Sequence, residues 1–350
     1  MTPREVAGIA LVAGLMLLAV GAVARFVLAR GAARRERRWL VQVERGRRAL
    51  LEVVRTGRLS RRDEAMLREL PVLHQVRLFT ELVPALAGQS REQLGRLARE
   101  IGLVPAAEAL VGSKRWRDRQ EGVRLLSMVG GGEEVVPPLL DDPHPAVRAQ
   151  AVEWVGSHPS FERVEKLVKL LPQAERYGGP VVRDTLLRIG GEAVAPLASF
   201  LNRVAGGALA QPALEVAAGI PDVRFAAAAV RLCRDPLPGV RARAAALAGA
   251  VGSEEAVAVL QGMLGDGDAS VRAAAAGALG RLGHWPSASL IVPLLRDPEG
   301  GVRSQAALAL RSLGSPGLLY LRRMAADEDP VAAKAARQVL EGPDGPAATP

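Results

Sequence analysis

Residues 297–314 read DPEGGVRSQAALALRSLG, and the chain has already said nearly the same thing twice, as DGDASVRAAAAGALGRLG at 266–283 and DPLPGVRARAAALAGAVG at 235–252. The valines of the three Val-Arg pairs, Val240, Val271 and Val302, are spaced 31 residues apart. A fourth copy, DPHPAVRAQAVEWVG at 142–156, places Val147 93 residues before Val240, which is three periods. A fixed internal period overrides the division into two or three globular domains that a chain of 350 residues would otherwise suggest.

Within each clear copy the apolar residues follow helical spacing: Val302, Ala306, Leu308 or Ala309, and Leu313 share one face, and Gly314 stands where a left-handed cap ends the run. A second apolar stretch follows, as in EEAVAVLQGML at 254–264 or ASLIVPLL at 288–295. Each unit is therefore a helix pair joined by a short Gly or Ser turn, and a lone pair cannot bury its apolar faces without stacked neighbours. Degraded copies fill the gap at 178–201, where Val182 and Arg183 are shifted four residues from register, and at 209–233. Residues 114–140 read as one more unit, DEDPVAAKAARQVL supplies a last covering helix, and the tail 342–350 is expected to be disordered.

The chain resembles the bacterial HEAT-like repeats of the phycobilin-lyase type, with units near 30 residues and a recurrent Asp-Pro, Val-Arg, Ala-Ala, Leu-Gly pattern over about 114–340. The resemblance implies an all-α fold, an α-solenoid of HEAT-like helix pairs with a period of about 31 residues. It also implies Asp-Arg ladders, in which Arg148, Arg183, Arg241, Arg272 and Arg303 pair with Asp142, Asp235, Asp266 or Asp297 of their own or the next repeat. The competing reading makes these arginines a grip for acidic or phosphate groups on a partner. Because each clear arginine comes with an aspartate, the structural ladder is the expectation.

The N-terminal end differs in kind. Val6 to Ala24 are 19 consecutive uncharged residues, VAGIALVAGLMLLAVGAVA. At about 1.5 Å per helical residue they nearly span a hydrocarbon core of about 30 Å. One transmembrane helix is therefore expected over 5–29. A cleaved signal peptide is the rival, and Ala22-Val23-Ala24 supplies its A-x-A pattern. Against it stand the lack of net positive charge before the run, the run's length, and the arginine-dense segment that follows. Residues 25–62 carry thirteen arginines and three glutamates, whereas 63–350 are nearly neutral, so the overall +9 belongs to one short stem. Arginine excess beside a span stays cytoplasmic, which places the repeats in the cytoplasm of a bacterial cell, on the inner membrane. In the stem, 30–62, Trp39, Val43, Leu50 and Val54 lie near one helical stripe, and Arg34, Arg35, Arg37, Arg38 and Trp39 are candidate contacts to anionic lipid. A solvated, topology-setting charge run accounts for the same residues. A helical lead-in, 63–113, joins the stem to the solenoid at 114–341.

No arrangement of reactive groups stands out. His74, His144, His158 and His284 are scattered, and the His-Glu pairs of the HEAT-type deoxyhypusine hydroxylases are absent from the sequence. Cys233 lies in an apolar run and reads as a small core residue; the GGG at 130–132 lacks the lysine of a phosphate loop. The near-neutral body argues against nucleic acid, and Trp116, Trp154, Trp285 and Tyr320 read as inter-repeat packing.

The sequence thus points to a membrane-tethered protein-interaction scaffold with no catalysis, cofactor or small-molecule substrate of its own. Its layout of anchor, stem and LAGQSREQLGRLAREIGL lead-in is similar to bacterial membrane-anchored HEAT proteins, some of them encoded beside membrane glycosyltransferases, which suggests a partner in envelope machinery. A tetrapyrrole lyase or chromophore chaperone is the second reading. Repeat phase puts Lys166, Lys169, Arg203, Arg231, Arg234 and Arg323 on second helices as candidate partner contacts.

Overall fold

A computed structural model describes residue 25 and residues 41–83, 88–177 and 180–341 of the chain. Apart from residue 25, the span expected over 5–29 lies outside the described residues, as do 30–40 of the stem and the tail 342–350. Among the described residues the regular elements are helices, with no strand, and no helix is long and apolar enough to cross a membrane. The chain divides into two compact units, Met1–Pro138 and Leu139–Pro350.

The first unit holds α1 (41–56), α2 (Arg61–Glu69), α3 (Val72–Leu82), α4 (Gly88–Glu100), α5 (Leu103–Val111) and α6 (Trp116–Val129). From residue 41 onward the stem is part of this unit's core and not a free spacer. Leu50 and Val53 of α1 are buried, and a Cβ on Gly46 would come within 2.8 Å of the Leu78 side chain, so α1 lies close against α3. Arg47 and Glu81 close the same contact at 2.6 Å. The lead-in and the first half of the repeat read at 114–140 share this core, because α5 packs on α6 closely enough that a Cβ on Gly122 would meet the Ala107 carbonyl at 2.7 Å. Arg99 donates to the Val129 carbonyl at 2.7 Å and ties α4 to the end of α6. The second helix expected in that repeat is a short 3-10 turn, Pro137–Asp141. Adjacent Pro137 and Pro138 supply no backbone N–H to an α-helix there.

The second unit is a two-layer stack. Its first helices are α7 (Pro145–Ser157), α9 (Val181–Ile189), α11 (Gln211–Gly219), α13 (Pro238–Val251), α15 (Ala269–Arg281) and α17 (Gly300–Ser312), each packed on the next, with α19 (Pro330–Leu340) against α17. Their partners form the other layer: α8 (Phe161–Leu170), α10 (Gly191–Arg203), α12 (Ala226–Leu232), α14 (Glu254–Met263), α16 (Ala288–Ile291) and α18 (Ser315–Ala325). The period-defining valines Val147, Val182, Val240, Val271 and Val302 are buried to 1% exposure or less, each contributing about 1.5–3 kcal/mol by leaving water.

Alanine and glycine let the first helices come together. In α15 the run Ala275 to Gly280 is buried continuously, so this helix is covered on more than one side. A Cβ on Gly249 of α13 would lie 2.7 Å from the Ala278 Cα, which shows how near the two backbones run. Gly314 has φ 71° but ψ −145°, a positive-φ turn outside the left-handed helical region expected there, and Ser253 accepts the Ala256 N–H at 3.1 Å to open α14. Pro293 cuts the helix expected over 288–295, leaving four α-helical residues between 3-10 turns at Trp285–Ser287 and Val292–Arg296.

Candidate interaction surfaces

The two edges of the stack in the second unit differ in chemistry. Along the edge where each second helix leads into the next first helix, arginine and aspartate hold successive repeats together. Arg241 donates from Nε and Nη2 to both oxygens of Asp266 at 2.8 Å, and Arg272 donates in the same way to Asp297 at 2.7 and 2.9 Å. The remaining Nη1 reaches back to its own repeat: Arg241 to the carbonyls of Asp235 and Pro236, Arg272 to those of Asp266 and Gly267, Arg303 to those of Asp297 and Pro298. Each aspartate also shapes its loop by accepting the N–H two residues on, as Asp297 does from Glu299 at 2.9 Å. The guanidinium of Arg241 holds the Asp266 carboxyl below the usual carboxylate range, and that of Arg272 does so for Asp297.

Other predicted members depart from this pattern. Arg148 has no aspartate opposite it, since the equivalent position is Gln173; its Nε donates to the Arg176 carbonyl at 3.1 Å, and its Nη1 to the Asp142 carbonyl at 2.7 Å. Asp142 accepts the His144 N–H at 2.8 Å. Asp235 faces Ala210 where an arginine would stand, and accepts the Gly207 N–H at 2.8 Å in its place. Gly206 permits that approach, since a Cβ there would sit 2.1 Å from the Asp235 carboxylate. Arg183 is outside the ladder: it is half exposed, and its one ion pair to a described residue is with its neighbour Asp184 at 3.3 Å. The sequence reading missed Arg296, which grips Asp327 with both contacts at 2.7 Å and reaches Asp329 at 3.3 Å.

Lys166, Lys169, Arg203, Arg231 and Arg323 lie on second helices, Arg234 lies in the turn after α12 and not on the helix expected, and all six are exposed. Three are engaged within the chain: Lys169 and Arg203 converge on Glu165 at 3.1 and 2.7 Å, and Arg231 donates to the Leu201 carbonyl at 2.6 Å. Arg203 first and Lys169 second pull the Glu165 carboxyl below its ordinary range. Lys166, Arg234 and Arg323 form no ion pair or side-chain hydrogen bond with a described residue. Arg34, Arg35, Arg37, Arg38 and Trp39 lie outside the described residues. The rest of the stem lines a cleft of about 610 Å³ in the first unit, formed by Arg45, Arg48, Glu52, Ser60, Arg62 and Asp63 with Ala49 and Met66.

The reactive side chains are occupied structurally. Cys233 is buried and burial pushes its thiol up to about 12. His144 caps α7 by accepting the Ala146 N–H at 3.3 Å, and His158 stacks on Trp154 with ring centroids 4.8 Å apart. Among the described residues no three His, Cys, Asp or Glu side chains gather as a metal site would require. Trp154 is fully buried as expected of a packing residue, but Trp285 is 62% exposed.

Residues 261–341 match the family model of HEAT repeats. No curated protein sequence matches the chain. Among solved structures, Kap121p is similar at 14% identity and TM-score 0.54, the alignment covering 83% of this chain and 40% of that one. Kap121p bound to Nup53p is similar at 13% identity and TM-score 0.54, covering 78% and 37%. The chain thus spans about two fifths of the Kap121p chains it matches. The complex of CpcE and CpcF of phycocyanin lyase from Nostoc sp. PCC7120 aligns at 18% identity with a TM-score of 0.31, covering 67% of this chain and 92% of that chain. The Kap121p likeness, at such identity, speaks to the fold alone. The described residues form an all-α fold, and residues 261–341 of it carry HEAT repeats.

Proposed function

We propose that the chain is a non-catalytic protein-interaction scaffold, tethered by residues 5–29 to the bacterial inner membrane with its repeats in the cytoplasm. The observation that carries the reading is how the second unit disposes of its charge. Ladder groups are taken up within the stack, while Lys166 and Arg323 on second helices and Arg234 in the turn after α12 stand exposed with no ion pair to a described residue. Kap121p is seen bound to Nup53p, to Ste12p and to RanGTP, so an array of this fold accommodates protein partners. The tether is supported by the uncharged run 6–24 and the arginine excess behind it. Tethering acts by raising the effective concentration of a partner at the membrane. A membrane glycosyltransferase or other envelope machine is the first partner to seek.

The test is affinity capture of the full-length protein from detergent-solubilised native membranes, against a control lacking residues 1–40. The cut belongs there because α1 is part of the first unit's core. A stoichiometric membrane partner, weakened in the control, is the expected result. No partner, together with a coloured ligand or turnover in the purified protein, would overturn the reading.

A further inference from the structure

The edge opposite the ladder, where each first helix turns into its second, carries a row of side chains at one repeat position. Phe161, Glu192, Val223, Glu254, Trp285 and Pro316 are successively 31 residues apart, and each stands in the first turn of a second helix or of the 3-10 turn leading into one. From Phe161 to Trp285 the row alternates apolar with acidic, and Pro316 ends it. Phe161 is 53% exposed, Val223 77% and Trp285 62%, and Glu192 and Glu254 between them are exposed too. Glu162 and Glu255 adjoin the row, and none of these four carboxylates forms an ion pair with a described residue. Cations near this edge are mostly engaged: Arg224 with Asp222 at 2.8 Å, Arg188 with Glu153 at 2.6 Å, and Arg163 on the His158 carbonyl at 2.9 Å. Arg281 and Arg311 remain, so the acidic groups predominate.

Carboxylates in a first turn suit the positive end of a helix, which accounts for Glu192 and Glu254 on structural grounds. It does not account for an exposed phenylalanine, valine and tryptophan in the same place. A membrane surface is a poor occupant, because anionic lipid repels the interleaved carboxylates. A polypeptide bearing apolar and cationic side chains in alternation matches both halves of the pattern.

We infer that this edge docks the basic juxtamembrane segment of a membrane protein, in extended form. The inference rests on the tethered-scaffold reading: at the cytoplasmic face, segments flanking membrane spans are enriched in Lys and Arg. Packed helices lie about 8–10 Å apart, so apolar positions two repeats apart are separated by about 16–20 Å. An extended chain rising about 3.3 Å per residue covers that in about five or six residues, with a cation midway.

The probe is a fluorescein-labelled 13-residue peptide with leucine at positions 1, 7 and 13, lysine at 4 and 10, and serine elsewhere, titrated against the full-length protein in detergent. Saturable binding is expected, weakened at least tenfold by the double substitution Glu192→Lys and Glu254→Lys and about fivefold by Trp285→Ser, with unchanged circular dichroism. A peptide with glutamate for lysine should not bind. Absence of saturable binding, equal binding of the glutamate peptide, or variants within twofold of wild type overturns the inference. So does a result in which Trp285→Ser leaves peptide binding intact and weakens binding to phosphatidylglycerol vesicles. Capture from native membranes separates this from the parent reading: a partner held equally by wild type and the double variant keeps the scaffold and removes the edge, and no partner with either removes the scaffold.

Discussion

Replacing Arg272 with alanine tests whether the ladder holds the repeats together. Arg272 and Asp297 are 14% and 5% exposed at their side chains, and the guanidinium makes both bonds of a planar fork while reaching two carbonyls of its own loop. Deletion leaves Asp297 with the Glu299 N–H among its acceptor contacts but without its cation. An exposed pair contributes at most about 1 kcal/mol, and breaking a fully buried one by removing a partner costs about 3–5 kcal/mol. This pair lies between, so Arg272→Ala should destabilise by about 2–4 kcal/mol. Arg303 is the internal control, since its described bonds go only to the Asp297 and Pro298 carbonyls; Arg303→Ala should cost about 1 kcal/mol. Arg272→Lys keeps the charge but not the fork and should fall between the two.

The assay is urea unfolding followed by circular dichroism, with hydrogen exchange of α15 and α17 to localise the loss. The pH dependence provides a second readout. The carboxyls of Asp266 and Asp297 are depressed in the folded state, so their contribution is fully present above the unfolded carboxylate pKa of about 3.9 and is lost as pH falls through the lower folded value. Arg272→Ala should therefore flatten the stability profile below about pH 4. Equal losses for Arg272→Ala and Arg303→Ala, or an unchanged acid limb, would refute the reasoning.

Glycines offer a contrast of opposite signs. A Cβ on Gly317 would sit 1.7 Å from the Leu310 carbonyl, so Gly317→Ala should lower stability by about 3 kcal/mol or more, whereas Gly262, exposed in α14 with nothing within 4 Å, should gain about 0.5–1 kcal/mol on Gly262→Ala; thermal melts decide both. Cys233, buried and with its thiol pushed up to about 12, should resist iodoacetamide at pH 8 in the native protein and react fully in urea, as mass spectrometry will show. Removing residues 1–62 should expose apolar surface and raise dye binding, because Leu50 and Val53 leave the first unit's core, while removing 1–40 should not.

What was legible in the sequence is what the period encodes. The buried valines, the glycine turns and the two-layer stack follow from a 31-residue recurrence of apolar spacing, and side-chain partners with fixed offsets, Arg241 with Asp266 and Arg272 with Asp297, recur with it. Where the acceptor is backbone, no residue type announces it. Arg148 turning to the Arg176 carbonyl and Asp235 to the Gly207 N–H are consequences of loop geometry. Past residue 41 a charge-rich helix hides a narrow buried stripe: the side that packs is Gly46, Ala49, Leu50 and Val53, which shares Leu50 with the stripe through Trp39, Val43, Leu50 and Val54 but leaves Val43 and Val54 only half-buried. Trp285 fails for a related reason. Composition treats a lone tryptophan as core, but Trp285 opens its 3-10 turn 62% exposed, while Ser287 and Ala288 just after it are the residues that are buried.

The degraded copies have an energetic consequence. A stack of repeats draws its stability from intrinsic terms plus nearest-neighbour interfaces, so a weak interface is felt locally. Between α13, α15 and α17 each junction combines a bidentate Arg-Asp pair with close Ala and Gly faces. Between α9 and α11 the ladder is missing: Arg183 is out of register, and Val204 stands where the aspartate would be. That junction relies on apolar contact, such as Leu187 lying where a Cβ on Gly219 would come within 2.6 Å. Opening of the second unit should therefore begin at α9 and α11, whose amides should exchange with solvent well before those of α15 and α17. The α11–α13 junction lacks its rung as well, since Ala210 stands in the arginine's place; Ala210→Arg supplies the guanidinium that Asp235 lacks, and should slow exchange at α11 if missing rungs are the cause. Uniform exchange along the stack would mean that apolar packing alone sets the local stability and that the ladder serves only to fix register.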